Sequence, residues 1–176
     1  MSTAWGDYDG DGDLDLAMGN NGQPNRLYRN DGLAGGVLQM TLVWSAAQAY
    51  NTTSIAWGDY DNDGDLDLAM GNELQPNLLY RNDDGMLNSA AAWSSVEADD
   101  THCVAWGDYN GDGFLDLAVG NSNQPNRLYK NEGGVLSTSP IWSSSETDNT
   151  SSVAWGDYDG DGDLDLAIGN RFQPNR

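Results

Sequence analysis

Apolar and polar residues alternate along this chain in short runs, separated by breaks rich in Asp, Gly and Pro. Between residues 49 and 98 the order is clearest. Ser54–Asp59 places Ile55 and Trp57 on one face and Ala56 and Gly58 on the other, which predicts a strand. An Asp/Gly loop follows. Leu66–Asn72 alternates again, with Leu66, Leu68 and Met70 on one face. Gln75-Pro76 marks a turn. Asn77–Asn82 predicts a third short strand, and Ala90–Ser95 around Trp93 a fourth with less alternation. No window carries the 3.6-residue period of an amphipathic helix.

The same order recurs. AWGDYDGDGDLDLAMGN at 4–20 returns with few changes at 56–72, 105–121 and 154–170. Trp5, Trp57, Trp106 and Trp155 are 52, 49 and 49 residues apart, and Trp44, Trp93 and Trp142 form a second series spaced by 49. Gln-Pro-Asn recurs at 23–25, 75–77, 124–126 and 173–175. The first unit is three residues longer, with the extra length between Asn30 and Trp44. Four short antiparallel strands in a ~49-residue unit are the arithmetic of a β-propeller blade. The expected fold is therefore all-β. It is a propeller of four-stranded antiparallel blades at 1–48, 49–98 and 99–147, with a partial blade at 148–176. A β-solenoid is the second choice, although its repeats are usually shorter. The small Ala/Gly face of the first strand suits the crowded propeller axis. The regularly spaced Trp positions suit packing between blades.

Charge sharpens the picture. There are 28 acidic and 7 basic residues in 176, a formal net charge of −21. Of the acids, 18 lie in segments 7–15, 59–67, 108–116 and 157–165, and the remainder is nearly neutral. The excess belongs to four loops. Nucleic-acid partners are excluded on this balance. Membrane insertion by a helix is excluded because no apolar run approaches ~20 residues. The single Cys103 excludes an internal disulfide and a Cys-based zinc site. Met1 leads into polar sequence with no signal-peptide pattern.

Each loop fits Asp-x-Asp/Asn-x-Asp-Gly-x-x-Asp. In the first, Asp7, Asp9 and Asp11 fill positions one, three and five, Gly12 the sixth and Asp15 the ninth. Alternate carboxylates on a tight turn converge, and hard oxygen ligands suit Ca²⁺. Position seven is expected to bind through its backbone carbonyl. Its side chain is free to vary, as Asp13, Asp65, Phe114 and Asp163 show. An EF-hand would need Glu at position twelve, where Met18, Met70, Val119 and Ile168 stand instead. Two carboxylates ~4 Å apart repel by about 4 kcal/mol at an effective dielectric near 20. A cation among them is expected, at about four Ca²⁺ sites in all.

The motif Asp-Tyr-Asp-x-Asp-Gly-Asp-Leu-Asp-Leu-Ala and its variants resemble the FG-GAP/VCBS repeats, whose best-known relatives are the integrin α-subunit propeller blades. Trp-Gly and Ala-x-Gly-Asn stand near where that family carries Phe-Gly and Gly-Ala-Pro. The resemblance implies a seven-bladed propeller with Ca²⁺ in the loop between the first two strands of a blade. Carried over by position, the ligands are Asp7, Asp9, Asp11 and Asp15; Asp59, Asp61, Asp63 and Asp67; Asp108, Asn110, Asp112 and Asp116; and Asp157, Asp159, Asp161 and Asp165. It further implies extracellular or cell-surface adhesion or ligand binding, and some similar propellers are lectins.

Three and a half blades do not close a ring of 4–8. Three accounts stay open: a fragment of a longer propeller, a strained partial ring, or a homo-oligomer in which two chains complete one ring. The pairs just before Gln-Pro-Asn vary inside a near-identical frame: Asn21-Gly22, Glu73-Leu74, Ser122-Asn123 and Arg171-Phe172. They are expected at the blade end opposite the acidic loops. Either nothing constrains these turn tips or they form a ligand-binding surface for a protein or glycan. His102 and Cys103 are strand neighbours whose side chains point to opposite faces, which argues against a catalytic pair. The expected function is a non-enzymatic, calcium-binding repeat module for extracellular binding or adhesion. A lectin or an accessory domain of a larger secreted enzyme are the alternatives.

Overall fold

The alternating segments become strands in the computed structural model, which describes residues 1–176. Three four-stranded antiparallel sheets follow one another along the chain. The first holds β1 (Ser2–Gly6), β2 (Asp15–Gly19), β3 (Arg26–Ala34) and β4 (Val37–Ser45). The second holds β5 (Thr52–Gly58), β6 (Asp67–Asn72), β7 (Leu78–Tyr80) and β8 (Trp93–Ser94). The third holds β9 (Thr101–Gly107), β10 (Asp116–Asn121), β11 (Arg127–Tyr129) and β12 (Trp142–Ser143). A two-stranded sheet of β13 (Thr150–Gly156) and β14 (Asp165–Asn170) ends the series. Strands pair in sequence order within each sheet, there is no helix, and no sheet closes on itself. These are β-propeller blades in an open arc.

The third and fourth strands of the middle blades are shorter than their apolar runs suggest. Asn82 turns its N–H away from the strand ladder to the Asp67 carboxylate, and Asn77 gives its N–H to Ser95 Oγ. Pairing beyond β7 is reduced to the Asn77 carbonyl, which accepts the Ser95 N–H, and an isolated bridge between Asn82 and Leu87. The longer first unit instead runs β3 and β4 as nine-residue strands joined at Gly35-Gly36. These two glycines have φ of +61° and +80°, the mirror-image turn that matches strand twist.

Burial places the core between sheets. One cluster joins Tyr8, Ala17 and Leu27 of the first blade to Ile55, Leu68, Met70 and Tyr80 of the second. The next joins Tyr60, Ala69 and Leu79 of the second to Val104, Leu117, Val119 and Tyr129 of the third. The inner strands β6 and β10 are buried at every residue, whereas β2 and β14 are only partly covered. Each blade is thus stabilised by its neighbours, as in other repeat proteins.

The small face of the first strand has a more specific role than crowding at an axis. It receives the next blade's tryptophan. A Cβ on Gly6 would lie 2.8 Å from Trp57 Cδ1, and one on Gly58 would lie 2.6 Å from Trp106 Cδ1. Trp106 Nε1 donates to the Ala56 carbonyl at 3.4 Å, and Trp155 Nε1 to that of Ala105 at 3.3 Å. The second tryptophan series meets the next blade's tyrosine edge to face: Trp44 with Tyr80 at 4.9 Å and Trp93 with Tyr129 at 5.1 Å. At the two ends of the arc, Trp5 is exposed and the space over Gly156 is open.

The tryptophan slot yields a controlled comparison. Gly58→Ala is expected to destabilise the fold by about 1–3 kcal/mol through overpacking. Gly156→Ala, at the repeat-equivalent position with no neighbour within 4 Å, is expected to stay within about 0.5 kcal/mol. Urea melts of the two variants check this, and equal losses would contradict it.

Candidate metal centre

The loop between the first two strands of each blade is shaped by its own backbone. Position six is glycine with φ near +90°, as in Gly64 at +97°, a region closed to most side chains. Position four is also left-handed and takes Gly or Asn, as in Asn62 at +58°. The carboxylate at position one then caps the turn. Asp59 Oδ2 accepts the Gly64 N–H at 3.0 Å, and Asp7, Asp108 and Asp157 do the same to Gly12, Gly113 and Gly162. The carboxylate at position five accepts the N–H of position seven: Asp11 from Asp13, Asp63 from Asp65, Asp112 from Phe114, Asp161 from Asp163.

These turns bring side chains from positions one, three and nine together. One carboxylate oxygen from each of Asp7, Asp9 and Asp15 lies within 4.8 Å of the others. The same holds for Asp59, Asp61 and Asp67, and for Asp157, Asp159 and Asp165. The position-five carboxylates Asp11, Asp63 and Asp161 are not part of these groups. In the third loop Asn110 Oδ1 accepts the Asp112 N–H at 2.9 Å. Three oxygens in the loops are buried with no hydrogen-bond partner: Asp7 Oδ1, Asp9 Oδ1 and Asp61 Oδ1. Buried unpaired carboxylate oxygens are costly. A cation that accepts their lone pairs fits this donor set.

The ninth position does something the sequence pattern did not reveal. Asp15, Asp67 and Asp116 are fully buried, and both oxygens of each are engaged. Asp67 Oδ2 accepts the Tyr60 N–H of its own loop at 3.1 Å, and Oδ1 accepts the Asn82 N–H beyond the third strand at 2.8 Å. Asp15 does this with Tyr8 and Asn30, and Asp116 with Tyr109 and Asn131. The asparagine side chains carry the connection onward. Asn82 Nδ2 donates to the Tyr8 carbonyl of the preceding blade at 2.7 Å, and Asn131 Nδ2 to that of Tyr60 at 2.7 Å. A belt of hydrogen bonds therefore runs from loop to loop across three blades. The recurrence of Asn after Tyr-Arg or Tyr-Lys was the available signal.

A second network holds the opposite end. Asn25 Nδ2 donates to Thr52 Oγ1, which donates to Asn72 Oδ1, both at 2.7 Å. Asn77, Thr101 and Asn121 repeat the arrangement one blade on. Gln-Pro-Asn is thus both the entrance to the third strand and a tie to the next blade. The variable pairs sit at this end. Asn21, Gly22, Leu74, Asn123, Arg171 and Phe172 are exposed, Glu73 is half-buried and Ser122 is buried. Glu73 and Ser122 give their N–H groups to the segments leading into the blade, at Asn51 and Asp100. Leu74 and Phe172 hold left-handed φ of +53° and +66°.

With this geometry in view, the FG-GAP-like repeat pattern matches residues 7–70, 60–119 and 108–168. The chain belongs to the FG-GAP-like repeat family. No curated protein matches the sequence. Among solved structures, this FG-GAP-like repeat chain is similar to BBS1N in complex with ARL6DN, in crystals soaked with mercury and with lead. The TM-scores are 0.66 and 0.65 at 11% and 12% identity. The match covers 96% of this chain but 51% and 50% of those chains, so this chain spans about half their length. The likeness shows the fold.

Burial sets the electrostatics of these FG-GAP-like loops. It pushes the Asp67 carboxyl up to about 7, against the two N–H groups that lower it. Asp15, Asp61 and Asp116 are also raised, burial again being the largest cause. A carboxyl raised in the folded state favours folding when protonated. That contribution is full below the unfolded value of about 3.9 and disappears as pH climbs through about 7. In chelator, the melting temperature is expected to be higher at about pH 5 than at about pH 8. The opposite ranking in a thermal melt would contradict this account.

Proposed function

We propose that the chain is a calcium-binding, calcium-stabilised repeat module for extracellular or cell-surface binding or adhesion, without catalytic activity. The observation that carries the reading is the set of converged carboxylates with buried, unpartnered oxygens at Asp7, Asp9 and Asp61. Asp15, Asp67, Asp116 and Asp165 complete the side-chain sets at position nine. Asp13, Asp65, Phe114 and Asp163 would contribute backbone carbonyls. Bound Ca²⁺ would neutralise the crowded carboxylates and satisfy those oxygens. Ca²⁺ is favoured over Mg²⁺, which keeps its waters and avoids cages of many carboxylates. Millimolar Ca²⁺ outside the cell makes that compartment the natural one for such sites.

The non-enzymatic reading takes support from Cys103, whose thiol is pushed up to about 11 by burial. A thiol held protonated is a poor nucleophile. A protein ligand is favoured over a glycan because the fold neighbour BBS1N is in complex with ARL6DN. The exposed Asn21, Leu74, Asn123 and Phe172, one per blade tip, are the side chains to engage it. A second copy is a further partner, since Trp5 repeats the side chain that fills the slot at Gly6 and Gly58, and the slot at Gly156 is open.

Chelation tests the metal. Each site held at 100-fold above its Kd contributes ~2.7 kcal/mol, roughly 5–10 °C in melting temperature for a chain of this size. EDTA is expected to lower the melting temperature by at least that, and Ca²⁺ but not Mg²⁺ to restore it. An unchanged melt would refute the structural metal. Light scattering in Ca²⁺ is expected to give twice the monomer mass if copies complete one ring, and a monomer mass would refute that partner. A glycan array free of hits is expected, and a hit would favour the lectin alternative.

A further inference from the structure

The loops differ in what stands beside them. The residue after the third-strand tyrosine is basic in every complete blade: Arg29, Arg81 and Lys130. Two of these are captured by an acid two residues on. Arg29 Nη2 pairs with Asp31 Oδ1 at 2.7 Å, and Thr41 Oγ1 also donates to Asp31. Lys130 Nζ pairs with Glu132 Oε1 at 2.8 Å. Arg81 behaves differently. Its Nε lies 2.9 Å from the equivalent acid, Asp83 Oδ1, but also 3.1 Å from Asp61 Oδ2, and its Nη2 lies 2.9 Å from Asp63 Oδ2. The guanidinium therefore spans two carboxylates of the loop itself.

The local chain explains the difference. The second blade has Asp83-Asp84-Gly85 where the third has Glu132-Gly133-Gly134. The Asp84 N–H donates to Asp65 Oδ2 at 2.7 Å and draws this turn onto the loop. The Asp61 side chain is only 12% exposed, so the Arg81 charge acts on it with limited screening. Asp61 Oδ1, the other oxygen of the same carboxylate, is the buried one without a partner. One oxygen of this carboxylate thus meets an internal cation, while the other is buried without a partner in a residue grouped with Asp59 and Asp67.

We propose that Arg81 makes the second loop a separate class of calcium site. It is weaker than the first because a fixed positive charge competes for Asp61 and Asp63, and it is partly neutralised without metal. The proposal rests on the calcium reading above. Removing one positive charge from beside a divalent cation changes its binding constant about tenfold at a solvent-like dielectric. In the first loop the equivalent Arg29 pairs with Asp31 and makes no ion pair with a loop carboxylate, so its charge acts on Asp9 only from a distance.

The test is calorimetric Ca²⁺ titration of the whole chain, with Arg81→Gln and Arg29→Gln side by side. Arg81 is a partly exposed side chain, and a Ca²⁺-loaded melt of each variant checks that the fold persists. Arg81→Gln is expected to tighten one site about tenfold. Arg29→Gln, which changes net charge equally, is expected to move every site by less than about threefold after salt screening. If wild type gives no Ca²⁺ heat, the calcium reading and this proposal both fail. If it binds but Arg81→Gln changes nothing, or both variants shift all sites alike, the proposal fails and the calcium reading stands.

Discussion

A buried aspartate at the ninth loop position is the constraint on which the rest depends. Asp67 has no access to water and meets two backbone N–H groups, one from its own loop and one from the far end of the third strand. Charge-assisted acceptors of this kind are among the stronger hydrogen bonds. Losing one would leave two buried donors unsatisfied. The Asp thereby fixes where the loop stands against the sheet. Asn82, positioned by Asp67, then reaches the loop of the preceding blade. Blade geometry and loop geometry are in this sense one network.

The cost of that network is charge. Burial raises Asp15, Asp61, Asp67 and Asp116, so the folded molecule holds carboxyls that would rather be neutral. A cation at a loop would relieve the strain without dismantling the hydrogen bonds, because a carboxylate oxygen has a second lone pair to offer. Arg81 relieves part of it in one blade by protein means alone. The blades are otherwise joined by neutral chemistry, with a tryptophan over a glycine near the axis, a tryptophan against a tyrosine farther out, and an Asn–Thr–Asn chain at the opposite end.

Much of this was legible. The two-residue period of Ser54–Asp59 and Leu66–Asn72 gave strands within a residue or two of β5 and β6. The four acidic loops lie between the first two strands of each unit, where the motif put them. The outer strands of the second blade were overestimated: Asn77 and Asn82 read as strand ends, but their backbone N–H groups go to side chains and the regular ladder is confined to Leu78–Tyr80. The role of position nine as a double acceptor was hidden, since a ligand and a staple are the same residue in a motif.

By itself the sequence determined the repeat, the strand periodicity, the left-handed turn positions and the clustering of negative charge, because all of these are set within a few residues of chain. Only the tertiary structure decided which carboxylate oxygens are buried without partners, that Gly6 and Gly58 are seats for the next blade's indole, and that Arg81 alone among three equivalent bases lies on its loop. Those facts depend on contacts between residues some 20 to 75 positions apart, such as Asn82 with Tyr8. Such contacts form only when a blade has folded on itself, as for Arg81 with Asp61, or been laid against the next, as for Asn82 with Tyr8.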